Sequence, residues 1–594
     1  MSSKSSPLFV SIGAAMLLLT IGLYALLSHE ITPLFSDGKY RIGEGPWQTF
    51  TDTLPSAVDS PQYLDLTFSL GLRTLHSRNF QIIADDCVEK LSVNEQAVGQ
   101  HVIPFCDLSH GRVLDLGPKL HAGSNQIAMT IQNVGGPASY TWRIAWWDPL
   151  LLSLRVLLLL GLIAGVVLLA KGLALSRWQN TFFGVFSLGV VLRLLYVFAT
   201  PYQVRAYDAD GHLEYIQYVA QHLALPSIRD GWEFYQAPLY YVLTGLWLHM
   251  GTAFGRALSL LIRDIQWIAF FSSVVTLAGM GWIATLVFSP KEKLERVLFF
   301  ALLAVLPSIV FLAPRINNDV LLFPLEVFCF GFLIAWWQNG RWKNWWVALL
   351  LLALSILTKT NGLLLVPVAF LLLALRQRLP LKKKVLVGAV SLLFLSLATG
   401  WMFTLRSGAS IDQPLVVNTG NLSSALYVKN NVETFSEFNP FRMAVYPYNN
   451  PWDDAYGRQY FWEYFFKSAF FGEFDLGATL KPLASSILVC GFLALLYAAY
   501  GAWTCIRREG LDTLPLWGGA GLLLLGHALH RAVTPHSCAQ DFRFSLLVSV
   551  PLVFFAIRGL RQTHSPFLRS TGVVILLASI ALEIALLVGI VVTL

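Results

Sequence analysis

Residues 181–243 pass from an apolar run into a polar loop and back into an apolar run. TFFGVFSLGVVLRLLYVFAT occupies 181–200, and YDADGHLEYIQYVAQHLALPSIRDGWEFYQAPLYYVL occupies 207–243. About 20 consecutive apolar residues are enough for a helix to cross the hydrocarbon core of a bilayer. The acids and the histidine between the two runs are therefore expected at a membrane surface. Partly desolvated carboxylates are costly to keep there and usually serve a function.

The rest of the chain repeats this apolar pattern, since 55% of the 594 residues are hydrophobic and only 13% are charged. This composition predicts a polytopic α-helical membrane protein. The candidate spans are 8–28, 150–170, 181–200, 237–254, 265–288, 297–313, 320–337, 345–358, 363–375, 385–404, 481–503, 514–533, 542–560 and 570–594. The runs 345–358 and 363–375 are short, so one of these, or 237–254, is expected to be a half-helix or a re-entrant segment.

Basic residues predict the orientation, because lysine and arginine accumulate in cytoplasmic loops. The clusters are Lys171/Arg177, Lys291/Lys293/Arg296, Arg341/Lys343, Arg376–Lys384, Arg507/Arg508 and Arg558–Arg569. About 13 crossings fit these clusters best, with the N-terminus inside and the C-terminus outside. Loops 30–147, 201–236, 405–480 and 534–541 then lie outside. Residues 1–29 are expected to be a retained transmembrane anchor.

The net charge of +7 matches this loop pattern together with contact to anionic membrane lipids. No soluble basic domain exists to carry a nucleic-acid interface, so nucleic acid is excluded as a partner. The six cysteines do not form a disulfide framework. Cys87 and Cys106 lie in the exported segment and can pair with each other in an oxidising compartment.

Residues 30–147 differ from the rest, because short alternating segments separated by turn residues replace the long apolar runs. The strand candidates are Tyr63–Leu70, Phe80–Ala84, Glu89–Val93, Gln126–Gln132 and Ser139–Ala145. IIADDCVEKLSVNEQAV and LHAGSNQIAMTIQNVGG resemble galactose-binding-like jelly rolls, although Glu95 stands where that family usually has glycine. We expect a small exported all-β sandwich that acts as an accessory domain, with sugar binding as the alternative.

The loop after residue 200 carries the side chains that a transfer reaction needs. Asp208 and His212 are four residues apart, as are Asp210 and Glu214, so a helix beginning here places each pair on one face. Either aspartate is a suitable N-cap residue for that helix. Capping explains one acid but not an Asp-x-Asp-x-His cluster. A carboxylate within reach of an acceptor hydroxyl can instead act as a general base.

These residues resemble the first outer loop of polytopic glycosyltransferases of the GT-C class. The nearest branch contains protein O-mannosyltransferases and the lipid A aminoarabinose transferase, whose loop carries an acidic pair, a histidine and a Pro-Pro-Leu-Tyr-Tyr-like helix entry. Here the loop reads Asp208-Ala-Asp210-Gly-His212, followed by Tyr235-Gln-Ala-Pro238-Leu-Tyr-Tyr241. Alanine replaces the second acid of the pair and the first proline. The base is therefore Asp208 or Asp210, and its spacing to His212 favours Asp208.

Three further motifs resemble the same class, and together the four motifs span about residues 180–560. They are Arg315-Ile-Asn-Asn318-Asp319, Leu357-Thr-Lys359-Thr-Asn-Gly362 and Cys538-Ala-Gln-Asp541-Phe-Arg543-Phe. Arginine can grip a lipid phosphate through two hydrogen bonds, and lysine acts on it as a point charge. Lys359, Arg543, Arg315 and Arg406 are the cationic candidates.

The resemblance implies a GT-C-like transmembrane domain over residues 148–594, with loop 201–236 catalytic. It implies transfer of a sugar from a polyprenyl-phosphate donor to a hydroxyl of a glycan, lipid or protein, with inversion, at the extracytoplasmic face of a bacterial-type inner membrane. Asp208 and Asp210 are the catalytic candidates, and Asp208, Asp210 and Glu233 are the candidate ligands of a divalent cation. The substrate-binding candidates are His212, Glu233, Tyr235, Gln236, Arg315, Asn318, Asp319, Lys359, His536, Asp541 and Arg543. No nucleotide-binding fingerprint is present, which agrees with the absence of a nucleotide cofactor.

Loop 405–480 is rich in aromatic residues, proline and asparagine, which suits an acceptor-side lid. Within it, Tyr460–Phe466 is also typical of an amphipathic helix on the bilayer surface. Two other functions remain open. A transporter or flippase of lipid-linked saccharide requires essential charges near the middle of the bilayer. A non-catalytic glycan-binding assembly factor requires the exported sandwich but not Asp208.

Overall fold

The computed structural model describes residues 6–31, 33–49, 62–84, 87–99, 101–106, 112–133, 140–145, 148–173, 176–200, 202, 208–228, 230–377, 379–407 and 423–593. Contacts between Cα atoms divide the chain into two compact units, Met1–Asn180 and Thr181–Thr593. The first unit contains the β-strands, and the second contains most of the helices.

The first unit contains antiparallel strands, and the third, fourth, fifth, ninth and tenth of them match the five segments that the alternating pattern predicts. They are β1 (Leu34–Ile42), β2 (Gln48–Thr49), β3 (Gln62–Leu72), β4 (Asn79–Ala84), β5 (Cys87–Val93), β6 (Gln96–Ala97), β7 (Phe105–Cys106), β8 (Arg112–Asp115), β9 (Gly123–Asn133) and β10 (Tyr140–Ile144). One sheet has the order β2-β1-β3-β9-β5-β6, with β7 also paired to β5, and a second has the order β10-β4-β8. Every second residue of β3 from Leu64 to Leu72 is buried, as a strand with one face on a core requires. The predicted disulfide between Cys87 and Cys106 is confirmed, and it joins β5 to β7.

Two helices complete this unit, α1 (Pro7–Ile31) and α2 (Pro149–Gly172). They approach closely through glycines. A Cβ added to Gly13 would lie 2.7 Å from the backbone nitrogen of Leu169, and one added to Gly165 would lie 3.2 Å from the carbonyl oxygen of Gly13. Small residues at such positions let two membrane helices pack backbone to backbone. Asp148 caps α2 by accepting hydrogen bonds from the backbone nitrogens of Leu150 and Leu151.

The second unit consists of helices of unequal length. They are α3 (Arg177–Ala199), α4 (Ala209–His222), α5 (Leu239–Ala253), α6 (Leu258–Val287), α7 (Lys293–Val305), α8 (Pro307–Val310), α9 (Asp319–Asn339), α10 (Trp342–Thr358), α11 (Leu365–Leu375), α12 (Leu381–Ser407), α13 (Val432–Ser436), α14 (Pro440–Val445), α15 (Phe461–Phe471), α16 (Lys481–Arg508), α17 (Leu514–Val533), α18 (Ser549–Gln562) and α19 (Pro566–Thr593). Short 3-10 turns connect several of them, including Thr360–Leu364 and Phe542–Val548.

Eight helical segments among the described residues are long and apolar enough to cross a membrane, so the chain is a multi-pass membrane protein. They are Pro149–Gly172, Trp178–Ala199, Leu258–Val287, Asp319–Asn339, Leu381–Phe403, Ala478–Arg508, Ser537–Gln562 and Pro566–Val591. The predicted total of 13 crossings remains a prediction.

Some apolar runs are interrupted where the sequence contains a helix-breaking feature. The run 297–313 is not one span, because α7 ends at Val305 and α8 starts at Pro307, whose ring removes a backbone donor. The runs 345–358 and 363–375 are separated at Lys359, whose extended backbone ends α10. A helix does form at 461–471, but Phe461, Phe465 and most of its other residues are buried inside the protein, so it does not lie on a bilayer surface as the amphipathic alternative required.

Candidate active site

Asp208 occupies the N-cap position of α4, yet its side chain makes no capping hydrogen bond. The helix starts instead with the backbone nitrogen of His212 donating to the carbonyl oxygen of Asp208. Capping therefore does not account for this carboxylate. The spacing argument holds, because His212 is buried behind Asp208 whereas Asp210 and Glu214 are exposed on another part of the helix surface.

Asp208, His212 and Glu233 offer ligand atoms that all lie within 4.8 Å of one another. His212 Nδ1 is 2.7 Å from the hydroxyl of Tyr241, which leaves Nε2 as its other ring nitrogen. Glu233 is brought close because α4 carries Gly211 at the contact, where an added Cβ would lie 2.8 Å from Cγ of Glu233. This triad of two carboxylates and one imidazole is suited to a divalent cation.

Burial changes the protonation of two triad members. Burial, followed by the negative charge of Asp208, raises the pKa of Glu233 to about 7. Burial lowers the pKa of His212 to about 4, so its imidazole is neutral near pH 7 and can act as a ligand. Two carboxylates and a neutral imidazole therefore lie close together. A cation bound among them would relieve the repulsion between the two carboxylates.

The amide of Asn318 links three of the four sequence motifs. Its Nδ2 donates to Oε1 of Gln236 at 3.0 Å and to the carbonyl oxygen of Thr358 at 3.2 Å. Gln236 in turn donates to Oε2 of Glu233 and to the hydroxyl of Tyr235, both at 2.9 Å. The loop after α4, the start of α9 and the end of α10 therefore share one hydrogen-bond network.

Lys359 and Asp319 form a buried ion pair, with Nζ of Lys359 2.6 Å from Oδ1 of Asp319. Their side chains are 9% and 6% exposed, so the pair is almost entirely buried. Gly362 permits the tight turn after Lys359, because a Cβ there would lie 2.7 Å from the backbone nitrogen of Ile356. Lys359 thus anchors its motif to the start of α9 through Asp319, and the contact with a phosphate stays a prediction.

Arg543 brings the fourth motif to the triad. Its guanidinium Nη2 is 3.8 Å from Oδ2 of Asp208, and its Nε is 3.4 Å from Oδ2 of Asp541. The ring of Phe544 lies beneath both cations, 5.5 Å from the guanidinium carbon of Arg543 and 5.3 Å from Nζ of Lys359. Asp208 is 33% exposed and Arg543 18%, whereas Asp541 is 7% exposed, so Asp208 and Arg543 form the accessible part of the site.

Glu473 belongs to the same site and was not predicted. Its carboxylate accepts a hydrogen bond of 2.7 Å from the hydroxyl of Tyr464. Burial, followed by the charge of Asp541, raises the pKa of Glu473 to about 7, and both Arg543 and Asp208 act on it electrostatically. The sequence feature that could have identified Glu473 is an acid in Gly472-Glu-Phe-Asp, directly after the aromatic stretch of loop 405–480.

The remaining predicted residues have different positions. Arg315 lies over the ring of Phe474 at 5.0 Å and interacts electrostatically with Asp319. Asp210 is exposed and is not among the three residues that could share a cation. His536 faces Tyr427 across an isolated β-bridge, and within the described part of the chain it makes no hydrogen bond or ion pair with the triad. The side chain of Arg406 lies outside the described part of the chain.

Residues 249–402 match the family model described as "Dolichyl-phosphate-mannose-protein mannosyltransferase". This stretch includes Arg315, Asn318, Asp319 and Lys359, but not Asp208 or Arg543. Among curated protein sequences, no relative matches the chain.

Solved structures of two membrane glycosyltransferases are similar to the chain. The Archaeoglobus fulgidus oligosaccharyltransferase tethered with an acceptor peptide has 12% identity and a TM-score of 0.42, covering 70% of this chain and 55% of its own. Its apo form has 12% identity and a TM-score of 0.39, covering 68% and 56%. Arabinosyltransferase EmbB from Mycobacterium smegmatis has 11% identity and a TM-score of 0.33, covering 99% and 64%. The chain spans little more than half the length of the first of these.

The match over 249–402 agrees with the resemblance to polytopic membrane glycosyltransferases of the GT-C class. It lies within the second unit, from α5 to α12.

Proposed function

We propose that this protein transfers a sugar from a polyprenyl-phosphate donor to an acceptor hydroxyl, with Asp208 as the general base. The observation that carries the proposal is the accessible pair of Asp208 and Arg543, held 3.8 Å apart at the edge of a buried charged cluster. One member can remove a proton, and the other can bind a phosphate. No capping bond occupies the side chain of Asp208, so its carboxylate is available for this role.

The reaction assigns one task to each accessible residue. The Asp208 carboxylate takes the proton of the acceptor hydroxyl, and the acceptor oxygen attacks the anomeric carbon from the face opposite the leaving phosphate. The bond between the anomeric carbon and the phosphate oxygen breaks, and its electron pair stays on the phosphate. Arg543 stabilises that developing charge through its guanidinium. Displacement from the opposite face inverts the anomeric configuration.

A divalent cation fits the triad of Asp208, His212 and Glu233. Asp208, Glu233, Asp319, Glu473 and Asp541 supply five carboxyl groups, against three cationic side chains from Arg315, Lys359 and Arg543. Such a surplus of acids repels an anionic donor unless protons or a metal ion offset it. When bound, the cation would supply positive charge for the phosphate. Asp208 would then be both a ligand of the cation and the general base. Arg543 remains the side chain that binds the phosphate.

The experiment compares two variants that each remove one carboxylate, at positions two residues apart in the sequence. Cells that lack the protein are complemented with wild type, Asp208→Asn or Asp210→Asn, and their lipids and surface glycans are analysed by mass spectrometry. We expect cells with Asp208→Asn to accumulate a polyprenyl-phosphate sugar and to lack the glycan that contains this sugar. Cells with Asp210→Asn should retain the glycan. Equal glycan in all three strains, with equal expression, would refute the assignment of Asp208.

Transport of a lipid-linked saccharide is the second candidate, and two buried acids within the spans favour it. Glu326 lies in α9 and Glu583 in α19, and Oε2 of Glu583 has no hydrogen-bond partner among the described residues. Acids at such depth often mark ion or substrate paths. A transporter would depend on these residues, so Glu326→Gln and Glu583→Gln would abolish function. The transferase account expects both variants to retain transfer.

A further inference from the structure

The ends of several helices line an open cationic cavity of about 550 Å³ at the protein surface. Arginine side chains dominate its lining: Arg508 ends α16, Arg558 and Arg561 lie in the last turns of α18, and Arg569 lies in the first turn of α19. This cavity is separate from the candidate active site. Segment 537–562 carries Asp541 and Arg543 near its start and Arg558 and Arg561 near its end, so the two places lie toward opposite ends of one candidate span.

The positive charge of the cavity is only partly compensated. Among the described residues, Glu292 is the one carboxylate in its lining. Its Oε1 is 2.9 Å from Nη1 of Arg558 and also pairs with Arg561. Four guanidinium groups against one carboxylate give the lining a formal charge of +3. An anion entering the cavity would therefore find unmatched donors.

One buried donor in the lining also lacks a partner. Nε of Arg558 makes no hydrogen bond within the described structure. Arg558 is held between the rings of Phe288 and Phe554, with its guanidinium carbon 5.5 and 5.3 Å from their centroids. A guanidinium fixed in this way is preorganised for a phosphate oxygen, because its fork need not be ordered on binding.

The surroundings indicate that the anion comes from the membrane. Phe567 is 76% exposed and Leu568 48%, and they directly precede Arg569. Trp503 is 54% exposed and carries Arg507 over its ring at 3.9 Å, an arrangement typical of the interface between lipid and water. Apolar side chains beside a basic pocket suit a molecule with acyl chains and a phosphate head group.

We propose that this cavity binds the phosphate group of an anionic membrane lipid, at the end of the helices away from the candidate active site. The four arginines contact the phosphate, and the exposed aromatic and aliphatic side chains contact the acyl chains. A soluble phosphate ester has the same head-group chemistry but no acyl chains. The site is independent of the glycosyl transfer proposed above.

Native mass spectrometry of the purified protein tests the proposal with phosphatidylglycerol, phosphatidylcholine and inorganic phosphate as separate probes. We expect phosphatidylglycerol to bind and phosphatidylcholine not to. Arg561→Gln/Arg569→Gln should weaken phosphatidylglycerol binding at least about tenfold, since each basic residue near the surface contributes to attraction of anionic lipid. Arg341→Gln/Lys343→Gln is the control, because it removes the same charge from exposed residues at the start of α10.

A single substitution tests the proposal independently of any misfolding of the double variant. Arg508→Gln leaves the ion pairs of Glu292 intact and should also weaken binding. Binding of inorganic phosphate that is as strong as that of the lipid, and equally sensitive to Arg508→Gln, would assign the cavity to soluble phosphate esters and overturn the membrane source. Equal lipid binding by wild type, the cavity variants and the control would overturn the proposal entirely.

Discussion

The buried pair of Lys359 and Asp319 provides a quantitative test of how the candidate site is held together. At 2.6 Å, the attraction between the two charges is roughly 6 kcal/mol at an effective dielectric constant of 20, before desolvation is subtracted. Lys359→Met leaves Asp319 buried without its partner, and breaking such a pair typically costs about 3–5 kcal/mol. We therefore expect Lys359→Met to be strongly destabilised, and we expect Lys359→Met/Asp319→Asn to recover at least about 2 kcal/mol of that loss.

The assay is unfolding in mixed micelles, followed by tryptophan fluorescence of the wild type and the variants. Arg256→Met is the matched control, since Arg256 pairs with Asp264 at the surface, where its side chain is 42% exposed. An exposed pair is worth about 1 kcal/mol or less, so this variant should unfold almost like wild type. A double variant no more stable than Lys359→Met would refute the inference that a buried uncompensated charge causes the loss. If Lys359 acts as a positioning residue, the double variant should also regain transfer to within about tenfold of wild type.

Three further predictions concern the candidate site and the disulfide of the first unit. Because the raised pKa of Glu233 is about 7, a proton competes with a cation for this carboxylate below pH 7, and Mn²⁺ affinity measured by calorimetry should fall about tenfold per pH unit there. Glu233→Gln should remove that pH dependence. If the variant shows the same change of Mn²⁺ affinity with pH as wild type, the triad is not the cation site. Gly211→Val should reduce transfer at least about tenfold, because its Cβ would lie 2.8 Å from the Glu233 side chain. Gly184→Val is the control and should not reduce transfer, because no atom lies within 4 Å of a Cβ at that position. Equal activity of the two variants would show that the close approach of Gly211 and Glu233 is not needed. Cys87→Ser/Cys106→Ser should destabilise the first unit by about 3 kcal/mol, as expected for a loop closed by residues 19 apart, and faster proteolysis of that unit is the measurement. Unchanged proteolysis would contradict a stabilising role of the disulfide.

Local patterns predicted most of the architecture. The alternation from Tyr63 to Leu70 predicted β3, and the four-residue spacing of Asp208 and His212 predicted that both belong to one end of α4. Hydropathy predicted most apolar helices but did not reveal the break at Pro307, because residues on both sides of it are equally apolar. The apolar pattern of Tyr460–Phe466 is the same for a helix on a bilayer and for one packed inside the protein, and the structure shows the second.

The candidate site was only partly predictable, because its chemistry depends on contacts between distant segments. Four separate motifs supplied Asp208, Asp319, Lys359 and Arg543, but no spacing could show that Lys359 pairs with Asp319 rather than facing a ligand. Likewise, the spacing to His212 favoured Asp208 over Asp210, but no pattern could show that Arg543 lies beside Asp208. Glu473 could not be identified, because its link to the other acids passes through Tyr464 and the 3-10 turn that carries Arg543.

Transfer by purified protein in proteoliposomes is the most direct test of Asp208 as the base. Lipid extract from cells lacking the protein supplies the accumulated donor, and release of polyprenyl phosphate is followed by mass spectrometry. The account predicts that Asp208→Asn lowers the rate by about 10²–10⁴-fold, the usual contribution of a general base, while Asp210→Asn stays within a few-fold of wild type. Equal rates for these two variants, or a larger loss in Asp210→Asn, would contradict it.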